Sequence, residues 1–284
     1  MRHTPRVSLA PITDTELAAA IESLPLSPRL LADLAPRLQQ AEVPVAEITD
    51  LLKRDAGLAA RLISVANSAF YARAEPATSI EEAVTCLGFR EVYRLVGAVA
   101  ARQLSDEPLQ AHRVDTQRFR ENALFVALVM EELASFVGLD SRDAYTTGLL
   151  RSIGKVAMDR IALAKGETVL LPENEPLLGW EHSTWGCSNA DVSARILSSW
   201  RFPAAAVEGV RHHYNPDVAD LPMADLVNLA AGAADLRGYG HPGEESYWAF
   251  SPESFRRTGM DEGKLVWAGE QAYRTLQRVM GALG

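Results

Sequence analysis

Gly148-Leu149-Leu150-Arg151-Ser152-Ile153-Gly154-Lys155 lies inside a stretch, Ser141 to Leu163, whose pattern reads as helix. Four residues apart on such a helix, Arg151 and Lys155 share a face. A guanidinium does not shed its proton in a protein, so Arg151 cannot ligate a cation. Lys155 adds a second positive charge to that face, and both repel a metal ion. Ser152 offers a neutral hydroxyl, a poor ligand beside a carboxylate.

Outward from this stretch, helical signals continue in both directions. Thr13-Asp14-Thr15-Glu16 and Ser79-Ile80-Glu81-Glu82 read as capping boxes. Ser27-Pro28 supplies an N-cap and a first-turn proline for a helix to about Gln40, with Pro36 as a kink. Val45, Ile48, Leu51 and Leu52, then Leu58, Leu62, Val65 and Ala66, form apolar stripes at helical spacing. Gly88 ends the helix opened at Ser79. Further helices are expected at Phe89–Leu104, Thr116–Val137, Asn189–Trp200, Ala204–His213, Leu221–Leu236 and Asp261–Leu283, with breaks at Gly166–Gly179 and Gly238–Gly243. No alternating pattern is long enough for a sheet, and no fixed-period repeat is present. The fold expected is all-α.

The octapeptide resembles the Gly-Leu-Leu-His-Asp-Ile-Gly-Lys signature of the HD superfamily of metal-dependent phosphohydrolases, with Arg151 and Ser152 where that family has its His-Asp ligand pair. Upstream, Asp55 to Tyr71 with its Ala66-Asn67-Ser68-Ala69-Phe70-Tyr71 run, then Ser79-Ile80-Glu81-Glu82-Ala83-Val84 and Leu87-Gly88-Phe89, resembles the HDOD family, the HD-related output domain of bacterial signalling proteins. The resemblance spans roughly residues 20 to 215. It implies an HD-domain-like helical bundle preceded by an HDOD N-terminal helical subdomain. The expected organisation is an N-terminal segment to residue 20, an N-terminal helical half over 20–110, an HD-like half over 111–237, and a C-terminal helical extension over 238–284.

The same resemblance locates a degenerate site. The family's first histidine falls at Asn122, the His-Asp pair at Arg151 and Ser152, and a late aspartate at Ala231. Lys155, His182 and the His212-His213 pair remain in the region that holds the metal in that superfamily. Adjacent helical residues diverge by about 100°, so at most one of His212 and His213 faces a given site. Hard ions require carboxylates, and zinc requires three or four suitable ligands. Without the metal, the hydroxide and the phosphoryl clamp it supplies are gone. No Ser-His-Asp or Cys-His constellation, P-loop or Gly-x-Gly-x-x-Gly pattern replaces it. The expectation is therefore no catalytic residue, no metal and no cofactor. Arg151 is expected to plug the old site by pairing with an acid such as Glu121 or Glu181. The alternative is an anion or nucleotide pocket formed by Arg151, Lys155, His182 and one histidine of the pair. In the N-terminal motif, Asn67 and Ser68 are expected to satisfy the end of their helix, with Phe70 and Tyr71 anchored in the core.

Composition narrows the class. The 284 residues carry 48% hydrophobic and 23% charged side chains, ordinary for a globular protein. No apolar run is long enough for a membrane span, and Met1 to Leu9 is basic and polar, unlike a signal peptide. A cytoplasmic location is expected. The net charge of −9 argues against wrapping a nucleic-acid backbone. Arg90, Arg94, Arg102, Arg113, Arg118 and Arg120 crowd the middle of the chain and read as solvated helix faces. Cys86 and Cys187 read as small buried hydrophobes in a reducing compartment. The function expected is a non-catalytic bacterial signal-transduction adaptor that works through a signalling protein partner. The alternatives are a phosphate or nucleotide sensor, or a residual phosphohydrolase.

Overall fold

The computed structural model of the chain describes residues 10–40, 42–71, 75–248 and 250–283, so the basic Met1–Leu9 segment lies outside the described residues. The described residues fold as helices without a strand, the one pairing of extended backbone being an isolated bridge between Leu109 and Val114. No described helix is long and apolar enough to cross a membrane.

The N-terminal helices form where the sequence signals them, except that Leu26 and not Ser27 stands at the cap of α2, without a side-chain cap bond. Thr13 caps α1 (Asp14–Ser23) in a reciprocal box, the Glu16 amide donating to its hydroxyl and the Glu16 carboxylate accepting the Thr13 N–H at 2.8 Å. In α2 (Ser27–Leu38), Leu30, Leu31, Leu34 and Leu38 make one buried stripe. Short helices α3 (Val45–Leu52) and α4 (Ala56–Ala66) follow. Asp55 caps α4 through the Leu58 N–H and also accepts the Ser27 hydroxyl at 2.8 Å, which ties α4 to the start of α2. Gly88, at φ +76°, ends α5 (Ile80–Leu87) and opens α6 (Phe89–Leu104), a conformation that costs a side-chain-bearing residue energy.

The central element is α7 (Thr116–Ala134), buried over most of its circumference from Asn122 to Glu131, with α6 packed on it. Helices α8 (Ser141–Leu150), α13 (Pro222–Leu236) and α15 (Glu262–Leu283) also pack against it. Helix α9 (Ile153–Ala164) and α11 (Asn189–Ser199) pack together, and α12 (Ala204–His212) bridges α11 and α13. Two helices lie where the sequence reading had none: α10 (Leu177–Trp185), and α14 (Pro252–Thr258) capped by Ser251.

Several expectations are corrected. The stretch Ser141–Leu163 is two helices, α8 and α9, broken at Arg151 and Ser152. Ser193 of α11 makes the break possible, since its hydroxyl donates to the Arg151 carbonyl at 2.9 Å and accepts the Gly154 N–H at 2.8 Å. Phe70 is 54% exposed and lies against Gly281 of α15, on the surface of the core. Arg94 is no solvated residue: it is buried, donating to Glu131 at 2.7 Å and to Glu132 at 3.2 Å. Cys86 and Cys187 are free and only half-buried. Nor do Asn67 and Ser68 satisfy the end of their helix: the Asn67 amide pairs both ways with the Ala77 backbone across the loop at 2.7 and 2.9 Å, and the Ser68 hydroxyl has no protein partner among the described residues.

Both glycines of the octapeptide are packing residues. A Cβ on Gly154 would lie 2.1 Å from the Asn189 carbonyl oxygen, and one on Gly148 would lie 3.0 Å from the Ala127 Cα of α7. Replacing a helical glycine by alanine gains about 1 kcal/mol of propensity, while overpacking costs about 1–3 kcal/mol. For Gly154→Ala the obstruction is backbone, so the clash wins. Urea unfolding should show this variant destabilised by about 2 kcal/mol or more, and a variant as stable as the parent would contradict the close α9–α11 packing.

Candidate functional site

The break between α8 and α9 aims Arg151 into the protein interior, where its side chain is 1% exposed. Its guanidinium meets the Glu244 carboxylate in a two-pronged contact, at 3.0 and 3.3 Å, and donates to the Asn122 amide oxygen at 2.8 Å. Lys155, one turn along α9, donates to the same carboxylate at 2.5 Å. The Tyr214 hydroxyl donates to it at 2.7 Å. Asn122 is fixed in turn by its own donation to the Tyr239 carbonyl at 2.9 Å. The Trp248 ring stacks on the guanidinium, 5.4 Å from its centre. One buried carboxylate therefore gathers two cations and a phenol.

Two histidines complete this centre. His213 Nδ1 donates to the Val210 carbonyl at 2.6 Å, which leaves Nε2 as the nitrogen facing Arg151 at 3.5 Å. His241 Nδ1 accepts from Lys155 at 3.3 Å. Burial, with Arg151 beside it, pushes His213 down to about 3. Burial, with Lys155 beside it, does the same to His241, also to about 3. Burial alone would raise the Glu244 carboxyl, but Arg151 and Lys155 outweigh it and hold the group well below its ordinary range. Burial pulls Lys155 down despite Glu244.

A second buried cluster joins the first. Asn189, at the start of α11, donates to Tyr214 at 3.1 Å and to the Glu181 carboxylate at 3.0 Å. Glu181 accepts from His112 Nε2 at 3.1 Å, and His112 Nδ1 pairs with Asp159. Both ring nitrogens face acceptors, so the imidazolium is the form this site satisfies. Burial opposes that charge, but Asp159 and Glu181 prevail and raise His112 above its usual value. The ring stacks on Trp185 at 5.5 Å.

The sequence-derived residues divide plainly. Asn122, Arg151, Lys155 and His213 come together. Ser152 is buried near them, but its hydroxyl has no protein partner among the described residues. His182 is exposed: its neighbour Glu181 takes the inward face of α10, and the next residue on a helix points about 100° away. His212 is half-exposed and lies 3.4 Å from Glu208. The expected acid partners of Arg151 are also corrected. Glu121 is bonded at the surface to Gln117, and Glu181 is committed to His112 and Asn189. Sequence reading missed Glu244, His241, Tyr214, Asn189 and His112. For His241 and Glu244 the available signal was the cluster Gly238-Tyr239-Gly240-His241-Pro242-Gly243-Glu244, which reads as a turn; Tyr214, Asn189 and His112 carried none. Among the described residues, no three His, Cys, Asp or Glu side chains are placed to hold a metal ion.

These shifts fix a pH response. His213 and His241 are neutral in the fold down to about 3 but take up protons from 6.5 downward when unfolded, so each lowers stability as pH falls through that window. His112, raised in the fold, contributes stability that is full below 6.5 and lost as pH rises through its folded value. Glu244 contributes stability above 4.5 that is lost as pH falls through its depressed value. His213→Gln and His241→Gln should each flatten the acid limb by about 1.4 kcal/mol per pH unit between roughly pH 6 and 4. Urea titrations at several pH values check this, and unchanged slopes would refute neutral burial.

The sequence pattern of the HDOD domain matches residues 24–216, well over half the chain. No curated protein matches. Among crystal structures, an HDOD domain protein of unknown function from Geobacter sulfurreducens shares 21% identity, with 95% of this chain and 97% of that one covered and a TM-score of 0.66. A protein provisionally named a signal-transduction protein from Marinobacter aquaeolei VT8 shares 22% identity with TM-score 0.65; 95% of this chain covers 64% of that longer one. A protein provisionally named a phosphohydrolase from Shewanella amazonensis SB2B shares 24% identity over 95% of this chain and 98% of its own, with TM-score 0.60. At these identities the likeness is one of fold, and with the sequence match over residues 24–216 it places the chain in the HDOD domain family.

Proposed function

We propose that this protein is a non-catalytic signalling module, in which the hydrolytic centre of the HD fold has become a structural ion-pair core and the work is done by contact with another protein. The observation that carries this reading is the Arg151–Glu244–Lys155 cluster. The positions at which the HD resemblance implies metal ligands include Asn122 and Arg151, and these two are bonded directly to each other at 2.8 Å. Two fixed cations and an amide fill the space where a divalent ion would need acids and neutral imidazoles. The single carboxylate present, Glu244, is already shared between Arg151 and Lys155. The names of the neighbouring proteins, one in signal transduction and one a phosphohydrolase, point in two directions. The chemistry of this site favours the first.

The same carboxylate argues against a phosphate or nucleotide sensor at this point. Arg151, Lys155 and Tyr214 do form a cradle for an anion, but the protein's own Glu244 occupies it and is itself fully buried. An incoming phosphate would have to displace an intramolecular ligand and open the loop that carries it.

The test is metal content and turnover. Purified protein should carry no stoichiometric Fe, Mn or Zn by elemental analysis, and it should not hydrolyse bis(p-nitrophenyl) phosphate or cyclic dinucleotides with added Mn²⁺. Turnover that disappears in Arg151→Ala or His213→Gln would overturn the reading, as would about one metal ion per chain lost with either substitution.

A further inference from the structure

A groove of about 600 Å³ runs along the outer face of α9, between that helix and the loop that follows α6. It is closed at one end by residues 166–170, and the Leu171 N–H, donating to the Ala111 carbonyl at 2.8 Å, holds the two loops in register. Its edge carries two exposed leucines, Leu163 at 68% and Leu170 at 48%. Contiguous apolar surface framed by a polar rim is the kind of surface that marks a protein contact.

The rim is acidic. Asp106, Glu107 and Glu167 line it, all exposed, and none takes part in a salt bridge among the described residues. Asp159 lies in the groove wall and carries the third charge of the buried His112–Glu181 cluster. Among the described residues the one base lining the groove, Arg160, is turned to α1, where it donates to the Ser23 carbonyl at 2.6 Å and to the Ser23 hydroxyl at 3.0 Å. The surface thus offers apolar area framed by uncompensated negative charge.

We infer that this groove docks an amphipathic, lysine- or arginine-bearing segment of a partner protein, its apolar side chains against Leu163 and Leu170 and its cations against Asp106, Glu107 and Glu167. This rests on the reading of the chain as an interaction module. The charge excludes the other large surfaces: nucleic acid and anionic lipid would both be repelled by the same carboxylates. The fit is that of a helix or short extended peptide laid in a groove, with apolar anchors giving affinity and rim charges giving orientation and encounter rate.

The experiment uses the full chain and a fluorescent amphipathic leucine–lysine peptide of about eighteen residues, with a leucine–glutamate peptide of the same pattern beside it. The lysine peptide should bind saturably, and both Asp106→Lys/Glu107→Lys/Glu167→Lys and Leu163→Ser/Leu170→Ser should weaken it by about tenfold or more. All five positions are exposed, so circular dichroism should show both variants folded. Reversing three exposed acids that do not line the groove, Glu42→Lys/Asp50→Lys/Glu75→Lys, should leave affinity within about twofold. Equal weakening by the two charge reversals would mean diffuse attraction to an acidic protein and would overturn the inference. So would absence of saturable binding, or equal binding of the glutamate peptide. In parallel, protein captured equally from a lysate by the parent and the groove-reversed chain would overturn the groove while sparing the interaction module. That broader reading falls separately, by the metal and turnover assays.

Discussion

The Glu244 carboxylate is the constraint on which the interior depends. It is the point where Arg151 from the α8–α9 break, Lys155 from α9 and Tyr214 from beyond α12 converge, with Asn122 of α7 one bond further on. An isolated charge would not survive at this depth. Here the charges balance across two linked clusters: Arg151, Lys155 and His112 are cations, and Glu244, Glu181 and Asp159 are carboxylates, joined through Tyr214 and Asn189. Buried ion pairs add little net stability compared with apolar packing, but breaking one by removing a partner costs about 3–5 kcal/mol. The cost of the network therefore falls on any change that removes one member and leaves its partners unpaired.

Much of the fold was legible because its signals are local. The Thr13 box, the Ser79 cap and the Gly88 turn each depend on residues within four positions. The break at Arg151 was not legible, because the group that satisfies it, Ser193, is 42 residues away and donates to a backbone carbonyl. Glu244 was hidden for the same reason, 93 residues from Arg151 and inside what reads as a turn. His182 misled because a motif position carries no information about helix phase, and Glu181 holds the inward face of that helix. That Arg151 would need an acid partner was foreseeable from its charge; that the acid is Glu244 was not.

The two clusters also join the interior to the surface. Asp159 belongs both to the His112 cluster and to the wall of the acidic groove, so a cation settling against it would compete with the imidazolium for the same carboxylate. From there hydrogen bonds run through Glu181, Asn189 and Tyr214 to Glu244. The buried clusters and the wall of the groove thereby share one electrostatic framework.

The whole arrangement turns on Glu244 being an ionised carboxylate locked between two cations. Carbon-13 NMR of the glutamate side-chain carboxyls, with Glu244 assigned by its loss in Glu244→Gln, measures this directly. The Glu244 resonance should stay at its ionised position as pH falls through 4.5, while exposed glutamates titrate, and should change only when the protein unfolds in acid. A midpoint at or above 4.5 in the folded protein would contradict the account, since a protonated Glu244 would leave Arg151 and Lys155 without the charge that holds them together.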